Sequence, residues 1–241
     1  MVLSIVASVL GYLFAFTVGR RFWRSRQPSL GAWTIGLAIF GAAATTQALG
    51  AAGGFSPALF RAFYLLGGVL GVIYLALGTV FLLAPRRLAW TAAAVLGVLT
   101  VLLAIDAAVV PVDASRLHTT AGILGLALVG HGTPLFVAAV VFNIVGTLVL
   151  VGGSAWSAYR LIRDRQGVDR VLCNVLLTVG ALVVATGFSA AKLAGGTLTE
   201  LGLAESIGIA VMFAGFLSLG RVGRRASHPV AAQGGGSAPT A

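Results

Sequence analysis

Charge is what this sequence has least of. Only 9% of its 241 residues are Asp, Glu, Lys or Arg, against roughly a quarter in soluble domains. A water-soluble fold needs charge to cover its surface, so lipid must solvate most of this chain. Cysteine is nearly absent. Cys173 alone can form neither an intrachain disulfide nor a cysteine-based metal site, and it is expected to face the membrane. The six acidic residues and three histidines leave few groups for acid–base or metal chemistry. There is no nucleophile–base pair, no phosphate-cradling glycine loop and no flavin fingerprint, so no cofactor and no enzymatic activity is expected. The N-terminus also lacks the basic stretch of a secretory signal. Its apolar run, Met1–Val18, is instead followed by Arg20, Arg21, Arg24 and Arg26. That order marks a first membrane span with its N-terminus outside.

What the chain does have is apolar length. Hydrophobic residues make up 59%, and the mean hydropathy is +1.02. The net charge of +10 would suggest nucleic acid in a soluble protein. Here the arginines sit in short connections between apolar runs, so membrane orientation accounts for them and no nucleic-acid partner is expected. About 20 apolar residues cross a bilayer as a helix. The runs 2–19, 30–53, 57–84, 89–110, 134–153, 171–193 and 200–220 qualify. Ser56-Pro57 and Thr133-Pro134 read as N-caps followed by proline at the first helical position. Pro85 and Pro111 read as stops, and Thr197 with Glu200 reads as a capping box.

Arginines test this count. They cluster after the first, third, fifth and seventh runs, at Arg20–Arg26, Arg86–Arg87, Arg160–Arg170 and Arg221–Arg225. The other connections hold only Arg61 and Arg116, with Lys192 closing the sixth run. This is the positive-inside pattern. It predicts an all-α, polytopic membrane helix bundle of seven transmembrane helices, N-terminus out and C-terminus in. The bundle spans residues 1–225, and residues 226–241 form a disordered cytoplasmic tail. The expected location is the cell membrane. The short apolar stretch Thr119–Gly130 reads as interfacial or re-entrant. Trp23, Trp33, Trp90 and Trp156 fall at cytoplasmic ends and read as interfacial anchors. Gly67 and Gly71 have the spacing for close helix approach.

An internal repeat of three plus one plus three helices with parallel halves is also suggested. Thr34-Ile35-Gly36 in the second run matches Thr178-Val179-Gly180 in the sixth, and Arg24/Arg26 match Arg163/Arg165.

Ionisable residues inside lipid are costly and often functional. Glu205 is the sharpest case, about 12 Å below Thr197 along a helix. Lys192 lies across a short loop and could pair with it. Asp106, Gln47 and Asn143 would join them in an outward-facing polar cluster if their helix faces converge. His118 and His131 are the only candidates for a metal, and their spacing matches no helical ligand pair.

Seven helices in this orientation also occur in microbial rhodopsins, G-protein-coupled receptors and SWEET-type carriers. The run 200–220 has no lysine for retinal, no receptor motif occurs, and Gln27-Pro28 reverses the carriers' Pro-Gln motif, so no family is assigned. The expectation is transport or binding of a small molecule at the Glu205 site. The alternative is a membrane sensor or accessory subunit that docks a protein partner through the basic loops, Arg160–Arg170 above all.

Overall fold

The computed structural model describes residues 1–113, 117, 129–130, 132–164, 168–193 and 197–225, without the side chains of 168–171, 188–193 and 219–225. The tail 226–241, the bulk of the stretch 119–130, and His118, His131 and Arg116 lie outside the described residues. Regular structure among the described residues is entirely helical. The helices are α1 (Val2–Ser25), α2 (Pro28–Gly53), α3 (Pro57–Leu83), α4 (Arg86–Val109), α5 (Pro134–Arg163), α6 (Val168–Leu193) and α7 (Leu198–Arg225). Six are long and apolar enough to cross a bilayer, and α6 carries the apolar stretch Leu172–Gly187. By length and composition this is a multi-pass integral membrane protein, folded as an all-α bundle.

Local chemistry explains the helix ends. Ser56 Oγ accepts from the Leu59 N–H at 3.2 Å, and Thr133 Oγ1 from the Phe136 N–H at 3.3 Å. Each is followed by a proline whose missing N–H removes one orphan donor. Thr197 and Glu200 close a reciprocal box at 2.7 and 3.2 Å. At Gly54 (φ 85°) the chain reverses, laying the Phe55 ring over Gly50, where a Cβ would come within 2.1 Å of it. Several helices outrun their apolar stretches at the arginine-rich end: α1 continues to Ser25 and α5 to Arg163. Long arginine side chains can follow a helix out of the hydrocarbon and keep their charge in water.

Six helices pack as a closed ring in the order α1, α2, α3, α5, α6, α7 and back to α1, with α4 outside against α3 and α5. Only 17% of the most apolar stretch of α4 is buried, against 50% for α3. Most ring contacts use glycine, which lets backbones approach where lipid offers no hydrophobic drive. Gly11 of α1 meets Gly41 and Phe40 of α2, and Gly36 of α2 meets Leu75 of α3. Gly146 of α5 lies on Val72 and Ile73 of α3, Gly180 of α6 on Gly208 and Met212 of α7, and Gly202 of α7 on Leu3 and Ser4 of α1. Gly67 touches Ala43 of α2, whereas Gly71 meets only its own helix, at Leu66 O. A π-helical segment, Tyr64–Leu70, contains Gly67 and ends just before Gly71.

The paired motifs of the two halves occupy matching roles. Thr34 Oγ1 donates to Leu30 O at 2.7 Å and Thr178 Oγ1 to Asn174 O at 2.8 Å. Gly36 and Gly180 each lie in the second helix of a triplet and contact the third.

Two expectations about single residues need correction. Trp23, Trp90 and Trp156 are exposed, but Trp33 turns inward and donates from Nε1 to Leu75 O at 3.1 Å. Gly78 provides the recess, since a Cβ there would sit 2.0 Å from the indole. Cys173 is buried rather than membrane-facing, beside Gly215 of α7, whose small size draws the two helices together.

Candidate functional site

A cavity of about 530 Å³ lies at mid-depth inside the ring, walled by α2, α3, α5, α6 and α7. Its position follows from two apolar layers. Towards the end opposite the arginines, Phe60, Phe63, Leu135 and Leu201 form one buried cluster. Towards the arginine-rich end, Phe14, Leu37, Leu150, Ile209 and Phe216 belong to another. One helical turn, about 5.4 Å, takes each helix from the first layer into the cavity: Phe63 to Gly67, Leu135 to Ala139, Leu201 to Glu205. Gln47 belongs to the same closing layer, with Ala43 below it on the cavity wall. Small residues follow large ones on several walls, and the space between the layers is left unfilled.

The lining is mostly apolar, with Asn143, Thr147 and Glu205 as its polar side chains. Glu205 is 8% exposed and its Oε2 has no hydrogen-bond partner. Ser4 Oγ, Gln47 Oε1 and Thr79 Oγ1 are also buried without partners, but none of them lines the cavity. A buried carboxylate without a counter-charge is strongly disfavoured. The group therefore requires a proton or a cationic partner at this depth.

Asn143 donates from Nδ2 to Gly68 O in the π-helical segment and to Ala139 O at 2.6 Å. Both partners are carbonyls, which fixes the orientation of the amide and commits its hydrogens. What remains to it is the Oδ1 acceptor. The π-helical segment is part of the site, since Gly67 within it and Gly71 just after it line the cavity. Such segments often occur at functional positions, but no local sequence signal marks this one beyond its paired glycines.

The other residues expected at the site go elsewhere. Gln47 is fully buried and donates from Nε2 to Leu198 O at 3.2 Å, tying α2 to the first turn of α7. Asp106 Oδ2 accepts from the Leu135 N–H at 3.0 Å, at the start of α5. Nearby, Arg61 donates from Nε and Nη2 to Val110 O, at 3.1 and 2.8 Å, where α4 ends. An acid on a helix N-terminus and a base on a C-terminus both complement the helix dipole. These two charges fasten the outer helix α4 to the ring. The Lys192 side chain lies outside the described residues, as do His118 and His131. Among the described residues no cluster of His, Cys, Asp or Glu could hold a metal.

The cavity also differs from the outward-facing polar cluster expected from sequence. Its walls are apolar, and Phe60, Leu135 and Leu201, all fully buried, lie between it and the end opposite the arginines. Comparison with protein-family models, curated proteins and solved structures finds no match to this chain.

Proposed function

We propose that this protein binds, and in the cell membrane carries, a small lipophilic molecule bearing a cationic or hydrogen-bond-donating group. The observation behind this reading is the unpartnered carboxyl oxygen of Glu205 on the wall of an otherwise apolar cavity. The volume of about 530 Å³ falls within the range of small-molecule sites, roughly 300–1,000 Å³. Ligand sites of this kind combine apolar walls with a few polar groups that fix orientation. Here the available polar groups are chiefly acceptors, which selects a donor ligand. An alkylamine is the simplest such chemistry. Its tail is accommodated by the apolar walls, and its ammonium satisfies Glu205.

The test uses purified protein in lipid nanodiscs and a dansyl-tagged alkylamine. Saturable binding with blue-shifted emission is expected. Glu205→Gln keeps the shape and removes the charge. A hydrogen bond to a charged group is worth about 1.5–3 kcal/mol, so the variant should bind about 10- to 100-fold more weakly. The matching probe with a methyl ether in place of the amine, which has neither charge nor donor at that position, should bind both proteins alike. Equal amine affinity in the two proteins would refute the role given to Glu205.

A further inference from the structure

We infer that the cavity opens sideways into the bilayer between α5 and α6, so that its ligand is a single-chain amphiphile taken from the hydrocarbon layer, with its tail left in the lipid. This rests on the binding role proposed for the cavity and narrows the substrate class.

Three observations carry it. First, the cavity reaches the outer surface of the ring on α5. Val137, Val141, Ile144, Val145 and Leu148 form the exposed apolar stripe of that helix. Ile144 and Leu148, 57% and 68% exposed, also line the cavity. The same two side chains thus belong both to the cavity lining and to the exposed stripe. Second, both ends of the space are closed by buried apolar layers, which leaves the side as the way in.

Third, the α5–α6 contact differs from the rest of the ring. Every other contact has a described glycine on which a neighbouring helix rests. The described glycines of α5 and α6 turn away from this one: Gly146 and Gly153 meet α3, Gly180 and Gly187 meet α7, and Gly152 has nothing within 4 Å. The corresponding contact of the first triplet, α1–α2, is drawn tight. Gly11 and Gly41 pack there, and Ser8 Oγ bonds to Gly41 O at 3.2 Å and to Thr45 Oγ1 at 2.8 Å. On α6 the cavity is lined only by the small or medium side chains Ala181, Val184 and Ala185, and Ala185 is one of the two that are not fully buried.

The experiment varies the tail. Alkylamines carrying a terminal dansyl group on linkers of increasing length are bound to protein in nanodiscs made with and without brominated phospholipid chains. The bound signal is the part displaced by excess octylamine. With the opening, long probes bind as well as short ones. Their bound fluorophore is quenched by bromine progressively more as the linker lengthens, because it emerges among the lipid tails. Ala185→Phe, placed at the opening, should reject long probes at least tenfold more than short ones. Circular dichroism and the thermal midpoint establish that the variant is folded.

If short probes bind in a Glu205-dependent manner but long ones do not, or if long bound probes are quenched no more than short ones, the cavity is closed at its side. The sideways opening is then wrong while the binding role stands. If Ala185→Phe is misfolded, the quenching series decides alone. If no probe binds saturably, the binding role fails and this inference fails with it.

Discussion

Replacing Asp106 by alanine should destabilise the bundle by about 2 kcal/mol without touching the cavity. Leu135 is fully buried, and its N–H, one of the orphan donors at the start of α5, is satisfied by Asp106 Oδ2 at 3.0 Å. Removing the acceptor strands that donor, which costs about 1–3 kcal/mol. Losing a negative charge from a helix N-terminus adds about 0.3–1 kcal/mol. Asp106 is only half-buried, and water relieves part of both effects, which places the sum near 2 kcal/mol. Asparagine at the same position keeps an acceptor and loses only the charge, so it should cost under about 1 kcal/mol. Reversible unfolding in mixed dodecylmaltoside–dodecylsulfate micelles measures both variants against the wild type. At 2 kcal/mol the folded-to-unfolded ratio falls about 30-fold. The reasoning fails if alanine lies within 0.5 kcal/mol of wild type, or if asparagine is as damaging as alanine. Either variant should bind the dansyl-alkylamine normally, because the carboxyl acts on a helix end and not on a ligand.

Glycine substitutions should sort by what lies opposite. Gly180→Val should abolish folding, since even a Cβ would meet Gly208 O at 2.5 Å and Met212 Cγ at 2.4 Å. Gly152→Ala, with open space around it, should be neutral or stabilising by up to about 1 kcal/mol through helix propensity; expression yield and thermal midpoint check both. Orientation can be read from impermeant maleimide on intact cells. Ser56→Cys should label from outside and Ser25→Cys only after permeabilisation, against a background kept low by the burial of Cys173. The reverse labelling would invert the layout drawn from the arginines.

The parts of this structure legible in the sequence are those decided within one helix turn or by bulk hydropathy. Ser56-Pro57, Thr133-Pro134 and the Thr197–Glu200 box involve partners three residues apart, and all three make the bonds their spacing implies. Glu205 stands out because an acid in an apolar run has no local reason to be there. What could not be read depends on distant partners. Asp106 and Asn143 look alike in sequence, each a polar residue in an apolar span. Only the fold assigns one to a backbone N–H 29 residues away and the other to a carbonyl 75 residues away. Trp33 looks like its three exposed counterparts until Gly78 is seen opposite it. The cavity is a volume without atoms among five helices, so no residue pattern along the chain announces it.

Helix α4, set apart from the ring, decides the direction of everything that follows it. By crossing once more between Pro85 and Pro134, it returns the chain to the side on which it began, so that α5 runs with α1, α6 with α2 and α7 with α3. Had the third helix been joined straight to the fifth, the second triplet would be upside down. Its arginines would emerge on the face opposite those of the first, and like triplets would meet head to foot. This helix on the rim is thus what allows two equally oriented halves to close around one shared space.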